Sequence, residues 1–149
     1  MAFEVQVNGL RKRIADMEQM IGYRAIDMVN ELSGIGEAQA KALAPVQSGE
    51  LRESIHMQAA KIEGEEVVGS FGTNCDHAVF AEYGTGQRGM SGLTANGQPK
   101  DPDASVTYTE TWPGMEARPY MYPASQLLAE VADDVRVKYA KKIVGGEDA

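Results

Sequence analysis

The 149-residue chain contains one cysteine, Cys75, and two histidines, His56 and His77. A lone thiol excludes an internal disulfide and points to synthesis in a reducing compartment. Two histidines and one cysteine fall short of a four-ligand zinc site unless carboxylates are recruited. Positive charge is also scarce, with 14 Lys and Arg against 22 Asp and Glu, a net charge of −8. Such a chain repels polyphosphate, and it lacks the basic and aromatic interleaving of nucleic-acid binders. Sequence-specific nucleic-acid binding is therefore not expected. No apolar run reaches the roughly 18–20 residues that span a bilayer. Residues 1–7 show no basic region followed by a long apolar stretch, so no signal peptide is expected and the chain reads as made in the cytoplasm. A Ser-centred nucleophile elbow, a Walker loop and a zinc-protease helix are all missing from the sequence.

What is present reads as one globular domain over 1–149, with 43% hydrophobic residues to form a core. The acidity is concentrated. Residues 45–83 carry Arg52 and Lys61 against Glu50, Glu53, Glu63, Glu65, Glu66, Asp76 and Glu82, a local charge of 2 minus 7, or −5. That segment reads either as a solvated outer face or as a surface turned toward a lumen.

Phe3, Val5 and Val7 alternate with polar residues, the pattern of a short half-buried strand. From Leu10 the period changes. Leu10, Ile14, Met17, Ile21, Ala25, Met28, Leu32 and Ile35 form one apolar stripe, which predicts a long helix up to Ala44. Pro45 ends it, and Gly34 and Gly36 predict a kink or interruption. A stripe of this length serves the chain's own sheet first and offers helix–helix contact between subunits second. Ser48 is placed to cap a short helix starting at Gly49, with Leu51 and Ile55 on its buried face. Residues 57–62 and 65–71 predict an antiparallel hairpin around Glu63-Gly64.

Residues 77–83 are dense in apolar side chains and fit either a strand or a short helix. The following stretch, 84–104, is rich in Gly and Pro and predicts a long loop, mobile over 87–104. Residues 105–112 alternate again as a strand would. Leu128, Val131, Val135 and Tyr139 mark a last helix after Pro119 and Pro123. The fold class is α+β, a mainly antiparallel sheet packed by a long N-terminal helix and a C-terminal helix, with a long flexible Gly-rich loop.

Two patterns invite a catalytic reading. Gly84-Thr85-Gly86-Gln87-Arg88-Gly89 has the spacing of a dinucleotide fingerprint. That motif needs a helix to start there and hold the pyrophosphate, yet Gly92, Gly97 and Pro99 follow. A small dinucleotide-dependent enzyme is thus the minor alternative. Cys75 and His77 pair a thiol with an imidazole. As neighbours on a strand they would face opposite ways, so a small buried cysteine beside a turn is the better reading.

Three segments resemble one family, the small neck or tail-completion proteins of long-tailed bacteriophages. They are Ala44-Pro45-Val46-Gln47-Ser48-Gly49-Glu50-Leu51-Arg52-Glu53-Ser54-Ile55, then Ala78-Val79-Phe80-Ala81-Glu82-Tyr83-Gly84-Thr85-Gly86, and Gly114-Met115-Glu116-Ala117-Arg118-Pro119-Tyr120-Met121-Tyr122-Pro123-Ala124. Val7-Asn8-Gly9-Leu10, opening the long helix, adds to the likeness. The sequence departs from the family pattern in its extended 87–113 stretch.

The resemblance implies a structural virion protein that helps join head to tail, with no enzymatic activity, cofactor or metal. Its implied partners are other neck and tail proteins and further copies of itself in a ring whose lumen DNA traverses, with no membrane involved. Its implied place is the virion, after assembly in the host cytoplasm. A tail-terminator ring and a transient assembly factor are the alternatives. The motif positions Ser48, Gly49, Leu51, Arg52, Ile55, Tyr83, Gly84, Thr85, Gly86, Arg118, Pro119, Tyr120 and Pro123 are then structural or interface candidates. Pro119 would hold Arg118 extended, and Pro123 would start the last helix where a missing N–H does no harm.

Overall fold

The 3.6-residue periodicity of the first third of the chain is realised as one uninterrupted helix, α1 (Leu10–Leu43). At about 1.5 Å per residue it is roughly 50 Å long. The structure is a computed structural model that describes residues 10–46, 49–90 and 108–145. Helix α2 (Glu50–Ser54) follows, then strands β1 (His56–Glu63) and β2 (Glu66–Gly72), helices α3 (Ala78–Tyr83) and α4 (Gly86–Gly89), and α5 (Met121–Gly145).

Gly34 and Gly36 do not break α1, contrary to the sequence expectation, and Gly36 serves packing and not bending. A Cβ on Gly36 would lie 2.5 Å from Cε1 of Phe71, and one on Gly69 of β2 would lie 2.7 Å from Cγ1 of Val29. The strands therefore press on a face of α1 lined by small residues, including buried Ser33, Gly36, Ala40 and Ala44. The stripe read from the sequence describes the adjoining face, where Met28, Leu32 and Ile35 are half-buried. Helix α5 runs antiparallel beside α1. Leu43 shares a cleft with Pro123 and Leu127, while Glu31 meets Lys138 and Tyr139 farther along.

Strands β1 and β2 pair antiparallel, closing at Glu63 opposite Glu66, with Gly64 at φ 66° in the turn. A register irregularity lies between Gln58 and Lys61. Side chains of α1 satisfy strand amides. The Ala60 N–H donates to Asn30 Oδ1 at 2.7 Å, and the Met57 N–H donates to Glu37 Oε2 at 2.8 Å. Unpaired strand amides are costly when covered, so these two polar residues belong on the packed face. Among the described residues the sheet has these two strands alone. The strand expected at Phe3, Val5 and Val7 lies outside the described residues. So do 105–107 of the later strand, while 108–112 lead through a turn and form no strand. The architecture is α+β with a helical majority.

Two carboxylates bind α1 to its neighbours. Hydrogen bonds from Lys138 and then Tyr139 hold Glu31 below the usual carboxylate range, and bonds from Lys41 and the Met57 N–H do the same for Glu37. Burial, followed by the bond to Glu31, pushes the Tyr139 phenol up to about 12. A carboxylate depressed by folding contributes stability above its unfolded pKa, about 4.3, and loses it as pH falls through the folded value. Urea midpoints should therefore fall as the pH is lowered from about 5 through the folded values of these two groups. The Glu31→Gln/Glu37→Gln double variant should show a shallower acid slope, and an unchanged slope would refute these assignments.

Candidate functional site

The three motif segments, far apart in sequence, meet at one end of the molecule. Ala40, Ala44, Leu51, Ile55, Ala78, Ala81, Tyr120 and Ala124 form a continuous buried cluster, with Phe71, Cys75 and Met121 against it. Leu51 and Ile55 take the buried positions the sequence assigned to them. The helix carrying Leu51 starts at Glu50, one residue later than expected. Gly49 occupies its cap position at φ 79° without a side-chain cap bond, and Ser48 lies outside the described residues. The half-buried Arg52 keeps its backbone in α2, and its Nε has no hydrogen-bond partner among the described residues.

Helix α3 resolves the strand-or-helix ambiguity at 77–83. Glu82 on this helix is buried at 6% exposure. Its carboxylate accepts the N–H groups of Tyr120 at 2.8 Å, Met121 at 2.9 Å and Tyr122 at 2.9 Å. A helix leaves its first four N–H groups without intrahelical partners. In α5 these belong to Tyr120, Met121, Tyr122 and Pro123. Glu82 takes three, and Pro123 has no hydrogen to satisfy. The carboxylate's negative charge also sits at the positive end of the helix dipole. Arg118 precedes buried Pro119, and its N–H donates to the Ala81 carbonyl at 2.8 Å.

A helix, α4, occupies Gly86–Gly89 where a loop from residue 87 is expected; the remainder of that stretch, 91–104, lies outside the described residues. Thr85 and Met115 exchange backbone hydrogen bonds at 2.8 and 3.0 Å, and Gln87 and Arg88 donate to the Trp112 and Pro113 carbonyls. The glycines permit this approach. A Cβ on Gly84 would lie 2.5 Å from the Met115 carbonyl oxygen, and one on Gly86 would lie 2.7 Å from that of Trp112. Gly89 sits under the Tyr108 ring, whose hydroxyl donates to the Tyr83 carbonyl at 2.9 Å. The dinucleotide-like spacing is thus occupied by the chain's own backbone. The helix that follows Thr85 has four residues, too short to carry the dipole of the nucleotide motif.

Cys75 and His77 do face one another, because 73–77 turn instead of continuing the strand. The sulfur lies 3.2 Å from Nδ1 and 3.3 Å from Nε2. Near-equal distances place it beside the ring and off the line of either nitrogen, which is poor geometry for proton transfer. The described residues contain no cluster of three or more potential metal ligands.

What this end of the molecule offers is a surface. Pro45, Leu51, Phe80, Ala81, Met115 and Arg118 border an open groove of about 620 Å³, alongside His77 and Glu116. Phe80 is 52% exposed and Met115 is 42% exposed, with Val46 and Val79 also exposed nearby. Large apolar side chains left uncovered and contiguous mark interaction sites more often than scattered ones do. Sequence reasoning singled out the flanking motif residues but missed Glu82 as a cap and Phe80 and Met115 as a surface.

A family model described as "Bacteriophage HK97-gp10, putative tail-component" matches residues 8–84, just over half of the chain. The match takes in the first motif segment and nearly all of the second, whereas 114–124 lie beyond it. Neither the curated proteins nor the solved structures contain a match to this chain.

Proposed function

The chain belongs to the HK97-gp10-like family of bacteriophage tail components, and from that premise we propose that it is a neck or tail-completion protein. In this reading it is a non-enzymatic part of the virion that helps join head to tail. It assembles as a homo-oligomeric ring, contacts other neck and tail proteins, and lets DNA pass through the lumen.

The observation that supports this reading is the packed end built by α2, α3 and the 112–120 segment. Its buried polar group, Glu82, is consumed in capping α5, while its exposed side chains Phe80 and Met115 are apolar. Docking uses such a surface, and chemistry on a bound small molecule does not. The hairpin-tip carboxylates Glu63, Glu65 and Glu66 are exposed, as a face turned toward DNA would require in order to keep phosphates from adhering.

Mass spectrometry of purified virions should find the protein at a fixed copy number, and particles made without it should accumulate as separate heads and tails. Joined, infectious particles made without it would refute the proposal. Overlong tails would identify a tail terminator, and absence from mature virions would identify a transient assembly factor.

A further inference from the structure

Two apolar surfaces at opposite ends of the molecule have no cover among the described residues. The first is the N-terminal part of α1. Helix α5 meets α1 from Leu43, beside Leu127, to Glu31, beside Lys138, and it ends at Gly145. The hairpin packs on α1 as far as Val29 and Asn30. Beyond these supports, residues 15–21 are all exposed. Met17, Met20 and Ile21, at 54%, 38% and 46% exposure, fall on one helical face at spacings of three and one. Asp16 and Glu18 flank that face on either side, and Lys12 lies one turn before Asp16. A solvated helix surface ordinarily presents charge, not a row of large apolar side chains.

The second surface is the groove between Leu51, Phe80, Met115 and Arg118. Its floor is apolar. The Arg118 side chain at its wall is exposed and makes no ion pair among the described residues, and Glu116 lies at the rim. An occupant suited to this groove carries an apolar ridge edged by carboxylates, with a cation one turn away. The free part of α1 has that pattern, and its Met side chains adapt readily to an irregular cleft.

One chain cannot fill its own groove. Met17 and Leu43 are separated by 26 residues of continuous helix, or about 40 Å. The two surfaces therefore match between copies and not within one. We propose that residues 15–21 of α1 in one copy seat in the Leu51/Phe80/Met115 groove of the next, with Arg118 facing Asp16 or Glu18 and Glu116 facing Lys12. The contact joins two different patches, so every open assembly keeps one free arm and one free groove until it closes. This inference rests on the ring reading above and names the joint that builds it. A single helix arm buries a modest area, so one joint alone is weak and closure gives each copy two.

Sedimentation velocity on the full chain tests this through two complementary variants. Met17→Asp/Ile21→Asp disables the arm and leaves the groove, whereas Phe80→Asp disables the groove and leaves the arm. All three side chains are exposed in one copy, so both variants should melt with the wild type. Met115→Asp replaces Phe80→Asp should the latter fail to fold. Wild type should self-associate with concentration, and each variant alone should do so at least tenfold more weakly. An equimolar mixture of the two should form a heterodimer and nothing larger, since one good arm then meets one good groove. Self-association of either variant at wild-type strength, or a mixture that stays monomeric even at the highest concentrations reached, overturns the proposal. Wild type assembling while both variants assemble equally well removes this joint but leaves the ring. Wild type that remains monomeric at every concentration also overturns the joint, and copy number in virions then decides the ring separately.

Discussion

Replacing Ile55 with aspartate should leave no folded protein at physiological temperature. Ile55 is fully buried, at the exit of α2 where the chain turns into β1. It belongs to the cluster with Ala40, Ala44, Ala81 and Tyr120, which joins α1, α2, α3 and the start of α5. Most of its neighbours are alanines, too small to move aside and admit water. An unpaired carboxylate placed there costs several kcal/mol, and the lost apolar contacts add about 2–5 more. The sum is comparable with the whole stability of a domain, about 5–15 kcal/mol. Val46→Asp, close by but 59% exposed, should change stability by less than about 0.5 kcal/mol. Thermal melts and size-exclusion profiles of the two variants measure the contrast. A soluble, monodisperse Ile55→Asp protein with the wild-type melting temperature would contradict the packing described here.

Legibility from sequence followed the range of the interactions involved. Helices α1 and α5 and the hairpin were readable because their hydrogen bonds are local and their burial repeats at 3.6 or 2 residues. Leu51 and Ile55 were readable for the same reason. Features decided by distant parts of the chain were not. Gly36 breaks a helix on propensity alone, yet here it fits under Phe71, 35 residues away, and the packing outweighs the roughly 1 kcal/mol propensity cost. Gly84, Gly86 and Gly89 signal a loop by composition. Their actual use is to let one backbone lie on another, which depends on where residues 108–117 return. The groove was invisible because its walls come from 45–51, 77–81 and 115–118. Resemblance across three segments pointed to residues that meet at one end of the molecule without showing what that end presents.

The start of α5 carried a signal that could have been used. Tyr120, at the cap position, has no side-chain acceptor within reach of the N–H groups that follow, and neither Met121 nor Tyr122 supplies one. A long helix starting in a buried aromatic without a local cap must borrow its acceptor from elsewhere, and Glu82 is the acid set among apolar residues in the second motif segment. Glu82→Ala should therefore be among the most damaging single changes at a polar position. It leaves three amides unsatisfied, one buried and two part-buried, each costing up to about 1–3 kcal/mol, and removes a charge favourable to the helix dipole. Partial relaxation of the helix end limits the total to roughly 3–5 kcal/mol. At about 2–4 °C per kcal/mol for this size, the melting temperature should fall by roughly 6–20 °C. Glu82→Gln keeps one acceptor oxygen and should lose about half as much. Amide hydrogen exchange separates this account from a general loosening, because protection at Tyr120, Met121 and Tyr122 should fall first while β1 and β2 keep theirs. A Glu82→Ala protein that melts within 2 °C of wild type, or one in which protection drops evenly along the chain, would show that α5 is held by its packing on α1 and not by this carboxylate.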